Sequence, residues 1–166
     1  MFLPSLLAAV TLVLGGLAAW FGAEAAALNG TPSAQNLALA DPAETSQVTA
    51  QVTSAIGALF SYDYAAPDPT TQAANRLLTG AAVREYAALF GQVHQQAPKQ
   101  KLVITTTVSN VGVELLTPDT ARVLVFAVES DRKANGTSSS AGAMLAVNVV
   151  RDGGTWKIEG IDTFGG

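Results

Sequence analysis

Between Val48 and Phe60 the apolar residues Val48, Val52, Ala55, Ile56, Leu59 and Phe60 fall on one face of a 3.6-residue repeat, with Thr49, Gln51, Thr53 and Ser54 opposite. Just upstream, Asp41-Pro42-Ala43-Glu44 is a start signal: Asp41 at the N-cap, Pro42 at the first helical position, and Glu44 where a carboxylate suits the free amides. The spacing predicts a helix from Pro42 to about Tyr62, stopped by Pro67 and Pro69. A second Asp-Pro pair, Asp68-Pro69, predicts a short helix with Ala74, Leu77 and Leu78 on one face, ending at Thr79-Gly80. In a third helix Val83, Tyr86, Ala87, Phe90 and Val93 share a face, and Ala97-Pro98 ends it.

From Lys101 onward the chain turns to β-branched residues separated by turn signals. The pattern predicts a long strand from Leu102 to Leu116 with a bend or bulge at Gly112, a turn at Thr117-Pro118-Asp119, and a returning strand from Ala121 to Glu129. Ser130 to Ser140 has the composition of a loop. Strands follow from Ala143 to Arg151 and from Thr155 to Thr163, joined through Asp152-Gly153-Gly154, with Trp156 and Ile158 facing one way and Lys157 and Glu159 the other. Three helices followed by four antiparallel strands give an α+β arrangement in which the helices cover one face of a curved, cone-like sheet.

Ahead of this pattern, Phe2 to Phe21 is an apolar run of about 20 residues, long enough to cross the hydrocarbon core of a bilayer. Residues 1–27 therefore read as a transmembrane anchor, 28–40, with Asn29-Gly30-Thr31-Pro32, as a linker, and 41–166 as one domain that folds on its own. A cleaved signal peptide with Ala23-Glu24-Ala25 as its cleavage site and a buried core helix are the alternatives. No Lys or Arg precedes the run, and it exceeds the usual signal-peptide core. The first basic residue is Arg76, so charge encodes orientation only weakly, and nothing positive beyond the run holds the C-terminal part in the cytoplasm. An extracytoplasmic domain is the expectation. Within the run Ala8, Thr11, Gly15, Ala19 (or Ala18) and Gly22 form a stripe of small residues that would let another membrane helix approach closely.

A net charge of −4 and a pI near 4.8, with no basic stripe, argue against nucleic acid as a partner. The absence of cysteine removes disulfides, thiolate metal sites and a thiol nucleophile. His94 is the single histidine and has no Ser, Cys or carboxylate at a recognisable spacing; it reads as a surface or helix-end group, and no metal or cofactor is expected. Asn29-Gly30-Thr31 and Asn135-Gly136-Thr137 read as ordinary loop chemistry, and the glycine-rich pieces match no phosphate-binding pattern. Tyr62, Asp63 and Tyr64 are the candidate site, at the mouth of a cone-shaped pocket or at an interaction surface. The structural alternative is that the two tyrosines close the core while Asp63 bonds to loop amides. The inward strand positions, taken as Thr105, Thr107, Val123, Val125, Leu145 and Val147, offer neither acid nor base, which favours apolar ligand binding over proton transfer.

Leu59-Phe60-Ser61-Tyr62-Asp63-Tyr64, Leu78-Thr79-Gly80 with Tyr86 after it, Val108 to Val113, Ala121 to Phe126 and Asp152 to Ile158 occur in an order that resembles the actinobacterial Mce-associated (mammalian-cell-entry-associated) membrane proteins. The resemblance implies one N-terminal membrane helix and an extracytoplasmic domain of the nuclear-transport-factor-2-like fold, the cone also seen in ketosteroid-isomerase and SnoaL-like proteins. It implies a non-catalytic accessory subunit supporting a Mce-type lipid or sterol import complex in the cell envelope, with the membrane and the other subunits as partners. A lipid-binding module and a pocket enzyme of isomerase-like fold are the competing readings.

Overall fold

The computed structural model describes residues 36–164. The expected 1–27 anchor and the expected stripe of Ala8, Thr11, Gly15, Ala19 and Gly22 lie outside the described residues, among which no helix is long and apolar enough to cross a membrane. Helix α1 spans Pro42–Phe60, and the Asp41 carboxylate accepts the Glu44 N–H at 3.0 Å. Its buried stripe is Val48, Val52, Ala55, Ile56 and Leu59. The helix stops two residues before the expected Tyr62 because Ser61 turns extended and Tyr62–Asp63 form a two-residue strand, β1. Helix α2 spans Asp68–Leu77; Asp68 lies within the first turn rather than capping it, with Pro67 at the cap position. Helix α3, Ala82–Gln100, runs through Pro98 to close on Lys101 in the left-handed conformation. Pro98 falls in the last turn, where its lack of an N–H forgoes one i→i−4 hydrogen bond, and the helix ends at Gln100 just beyond it.

Strands β2 (Val103–Leu116), β3 (Thr120–Arg132), β4 (Ser138–Asp152) and β5 (Thr155–Thr163) join β1 in one antiparallel sheet of order β1-β2-β3-β4-β5. The sheet has five strands where four were predicted, because β1 is too short to show alternation. The loop expected over Ser130 to Ser140 contracts to 133–137. Ser130 pairs with Ser140 and Arg132 with Ser138, and this end of the sheet is solvated on both faces, so its strands lack an apolar side.

Three bulges set which residues face the helices. In β2 the register shifts between Val108 and Asn110 and again between Val113 and Leu115, on either side of the expected site at Gly112. The inward set on β2 is thereby Ile104, Thr106, Val108, Val111, Val113 and Leu116, opposite Asp131, Glu129, Ala127, Val125, Val123 and Ala121. Thr105 and Thr107, read from the sequence as inward, are exposed, while Thr106 is buried. The Thr106 hydroxyl donates to the Phe60 carbonyl at 2.8 Å, and its N–H donates to Ser61 Oγ at 3.0 Å, so the end of α1 fixes the register. In β5 the third bulge leaves Ile158 and Ile161 both inward and frees the Ile161 N–H to donate to Glu85 Oε2 on α3 at 2.7 Å. Gly153 and Gly154 take positive φ (57° and 82°) in the two-residue β4–β5 turn, which favours residues without a Cβ.

The core lies between the helices and the inward sheet face, with Val48, Ile56, Leu59, Val123, Val147 and Ile158 at or below 1% exposure. Leu37 to Ala40, read as the end of the linker, are tied to it: the Leu37 N–H donates to the Leu116 carbonyl and Thr45 Oγ1 to that of Ala38.

Candidate functional site

An apolar cavity of about 270 Å³ lies between α1, α3 and the inward sheet face. Ile56 and Phe60 come from α1, Leu89, Phe90 and Val93 from α3, and Ala127, Ala143, Leu145 and Ile161 from the sheet. Leu89 and Met144, each 43% exposed, mark the rim. The helical spacing of Leu89, Phe90 and Val93 turns three side chains of one helix to the space, while small residues at Ala127 and Ala143 leave it unfilled. The polar groups on the wall are Thr106, Glu129 and Thr163.

Glu129 puts an acid on an inward strand position, where the residues expected to face inward offered none. Ala121, Val123, Val125 and Ala127 alternate inward along β3, and two further steps of that period reach Glu129 and Asp131. Both side chains are half-buried, and neither takes part in any ion pair found among the described residues. Burial raises the Glu129 pKa above its ordinary value, and the neighbouring Asp131 carboxylate raises it further. Asp131 Oδ2 accepts from Ser139 Oγ at 3.3 Å, while Oδ1 is buried without a partner. The period-2 alternation that turns Val123 and Val125 inward places Glu129 inward as well.

A group whose folded-state pKa is raised binds more protons in the folded state, so its contribution to stability is present below its unfolded pKa and is lost as pH rises through the folded value. Glu129→Gln, neutral throughout, should therefore be more stable than the natural protein at pH 7.5. That advantage should shrink toward pH 4, which urea unfolding at the two pH values checks.

Tyr62, Asp63 and Tyr64 do not line this cavity. Tyr62 pairs with Ile104 at the sheet edge and is 4% exposed. Asp63 Oδ1 accepts the Ala65 N–H at 2.8 Å, and Tyr64, 36% exposed, donates its N–H to the Leu102 carbonyl. The turn at Ser61 carries Tyr62 and Asp63 onto β1 and Tyr64 into the turn after it, away from the α1–α3 opening; Tyr62 and Asp63 instead border a shallow groove with Pro69, Thr70 and Val103. His94 joins an aromatic cluster, edge-on to Tyr62 at 5.2 Å and to Phe90 at 5.3 Å. Tyr86 stacks on Phe90 at 5.3 Å and donates its hydroxyl to the Leu59 carbonyl at 2.7 Å; burial pushes its pKa well up, which keeps that proton in place. Among the described residues no group of three or more His, Asp or Glu is placed to hold a metal ion.

No protein-family model matches the sequence, and no curated protein is significantly similar to it. Solved structures with the same architecture do exist. A periplasmic fragment of TraM superposes with a TM-score of 0.61 at 11% identity over 72% of this chain and 96% of that one. An IcmL-like type IV secretion system protein from Legionella pneumophila gives 0.62 at 10% identity over 71% and 90%. CagV, a VirB8 homolog of the type IV secretion system of Helicobacter pylori, gives 0.52 at 13% identity over 72% and 98%. At these identities the likeness is one of fold: an α+β domain of three helices on a curved antiparallel sheet, of the nuclear-transport-factor-2-like kind.

Proposed function

We propose that the protein is a non-catalytic accessory subunit of an assembly in the cell envelope, with its folded domain on the extracytoplasmic side and the apolar N-terminal run as its tether. The observation that carries this reading is the fold shared with a periplasmic fragment and with secretion-system proteins. An exposed apolar strip on the outer sheet face supports it. Phe126, 43% exposed, and Val128, 40% exposed, alternate with the inward Val125, Ala127 and Glu129 along β3; solvent-facing clusters of large apolar residues mark contact surfaces. The non-catalytic part rests on the cavity wall. Beside Glu129 it offers Thr106, whose hydroxyl proton is committed to the Phe60 carbonyl, and Thr163, too few groups for a base with an opposed charge stabiliser. Within this reading, the resemblance to Mce-associated membrane proteins favours a complex that moves lipids or sterols as the assembly, rather than a secretion machine.

Cross-linking and co-purification of the full chain from native membranes test the proposal. A reproducible set of envelope proteins should accompany the natural chain. Phe126→Glu with Val128→Glu should reduce their recovery about tenfold or more, while stability moves little because both positions are exposed. A chain recovered alone would overturn the subunit reading.

A further inference from the structure

The cavity between α1, α3 and the sheet has a wall of one kind and a polar edge of one sign. Its body is hydrocarbon and aromatic, from Ile56, Phe60, Phe90, Val93, Leu145 and Ile161. Its one ionisable wall residue is Glu129, with Asp131 two positions further along the same strand face. At about 270 Å³ the space lies just under the roughly 300–1,000 Å³ of sites for drug-sized ligands. Its occupant is therefore a small molecule or the end of a longer chain. Apolar lining selects a hydrocarbon body, and two neighbouring carboxyls without a cationic partner in any described ion pair select against an anionic head. A carboxylate accepts hydrogen bonds, so the matching head is a donor.

We infer that this cavity is a binding site for a small amphiphile made of a hydrocarbon chain and an uncharged, hydrogen-bond-donating head such as a hydroxyl, with the chain between Ile56, Phe90 and Val93 and the head at Glu129. Free alkanols and hydroxyl-headed lipids share this chemistry. The site goes beyond the accessory-subunit reading: it is defined within one chain, and its test uses no partner.

The test is a titration of the purified full chain, kept in solution by a fluorinated surfactant that mixes poorly with hydrocarbon, with 1-decanol, 1-octanol and decanoate, followed by methyl NMR. With 1-decanol the methyls of Ile56, Leu89, Val93 and Ile161 should shift and saturate, while those of Val48 and Val149, which do not line the cavity, stay in place. Loss of two methylenes in 1-octanol should weaken binding roughly fifteenfold, about fourfold for each. Decanoate at pH 7.5 should bind at least about tenfold more weakly than 1-decanol, and Glu129→Gln should narrow that gap by removing the like charge. Ala143→Phe, at an exposed position on the rim, should abolish the saturable shifts; should that variant lose its dispersed spectrum, Ala127→Leu is read in the same way. Were the shifts absent, spread equally over Val48 and Val149, as strong for decanoate as for decanol, or unchanged when the cavity is filled, the site would be refuted. An unaltered head-group preference in Glu129→Gln would refute the role of Glu129. Co-purification of envelope partners is unaffected by any of these outcomes, so this site and the subunit reading fail separately.

Discussion

Replacing Trp156 by alanine is expected to destabilise the domain by about 3–5 kcal/mol, the range for truncating a large buried aromatic. Trp156 is 2% exposed and lies where three parts of the fold meet. Its backbone N–H donates to Gln51 Oε1 of α1 at 2.9 Å, and the Arg151 guanidinium of β4 covers its ring at 4.6 Å. Arg151 in turn pairs with Glu44 in the first turn of α1, and donates its N–H to the Asp119 carbonyl and its Nε–H to that of Pro118 in the β2–β3 turn. Removing the indole takes away the packing surface of the last hairpin and the face on which Arg151 rests. Against a stability of about 5–15 kcal/mol for a typical domain, the loss is a large share. The melting temperature of the Leu37–Gly166 unit should fall by roughly 10–20 °C. Trp156→Phe separates packing from polarity. The indole Nε1 is buried without a partner, so phenylalanine gives up area but removes an unsatisfied donor, and its net cost should stay under about 2 kcal/mol. An unchanged melting temperature in Trp156→Ala would mean that the hairpin is held by something other than this side chain.

What could be read from the sequence was set by local signals. The Asp41 cap, the stripe from Val48 to Leu59, and the Trp156 and Ile158 side of β5 all appear where local periodicity puts them, because each depends on neighbours within a turn or a strand. The errors share one origin, contacts distant in sequence. β1 exists because Tyr62 and Asp63 meet Ile104 and Val103, some forty positions away, which a two-residue segment cannot announce. Thr105 and Thr107 face outward because Ser61 and Phe60 bind Thr106, and bulges beside Val108 and Val113 interrupt the alternation that would have shown it. The serines of β4 pair where both faces are solvated, so a strand there has the composition of a loop. Glu129 differs from these. Its inward placement follows from the same alternation that places Val123 and Val125, and a carboxylate on a solvent-rich strand end reads as surface unless that period is carried through.

The same dependence on distant contacts makes Phe90 the second position of large effect. Helix α3 starts with no side-chain cap and carries Pro98 in its last turn, so its placement relies on the face it buries. That face centres on Phe90, 4% exposed and the hub of an aromatic cluster: Tyr86 stacks on it at 5.3 Å, and Phe60, Tyr62 and His94 meet it edge-on at 5.9, 6.3 and 5.3 Å. These pairs join α3 to the end of α1 and to β1, and aromatic pairs contribute about 0.5–1.5 kcal/mol each beyond their buried area. Phe90→Ala is expected to cost about 3–5 kcal/mol. The upper half of that range is favoured because the side chain forms part of the cavity wall, and the space it vacates opens onto an existing void that neighbours cannot collapse to fill. Phe90→Leu keeps most of the volume and loses the ring contacts, so its cost of about 1–2 kcal/mol isolates the aromatic contribution. Urea unfolding of the three proteins decides the matter. The midpoint should fall in the order natural, leucine, alanine at unchanged slope; a leucine variant as unstable as the alanine one would place the whole effect in ring geometry, and an alanine variant within about 1 kcal/mol of the natural protein would remove Phe90 from the centre of the packing.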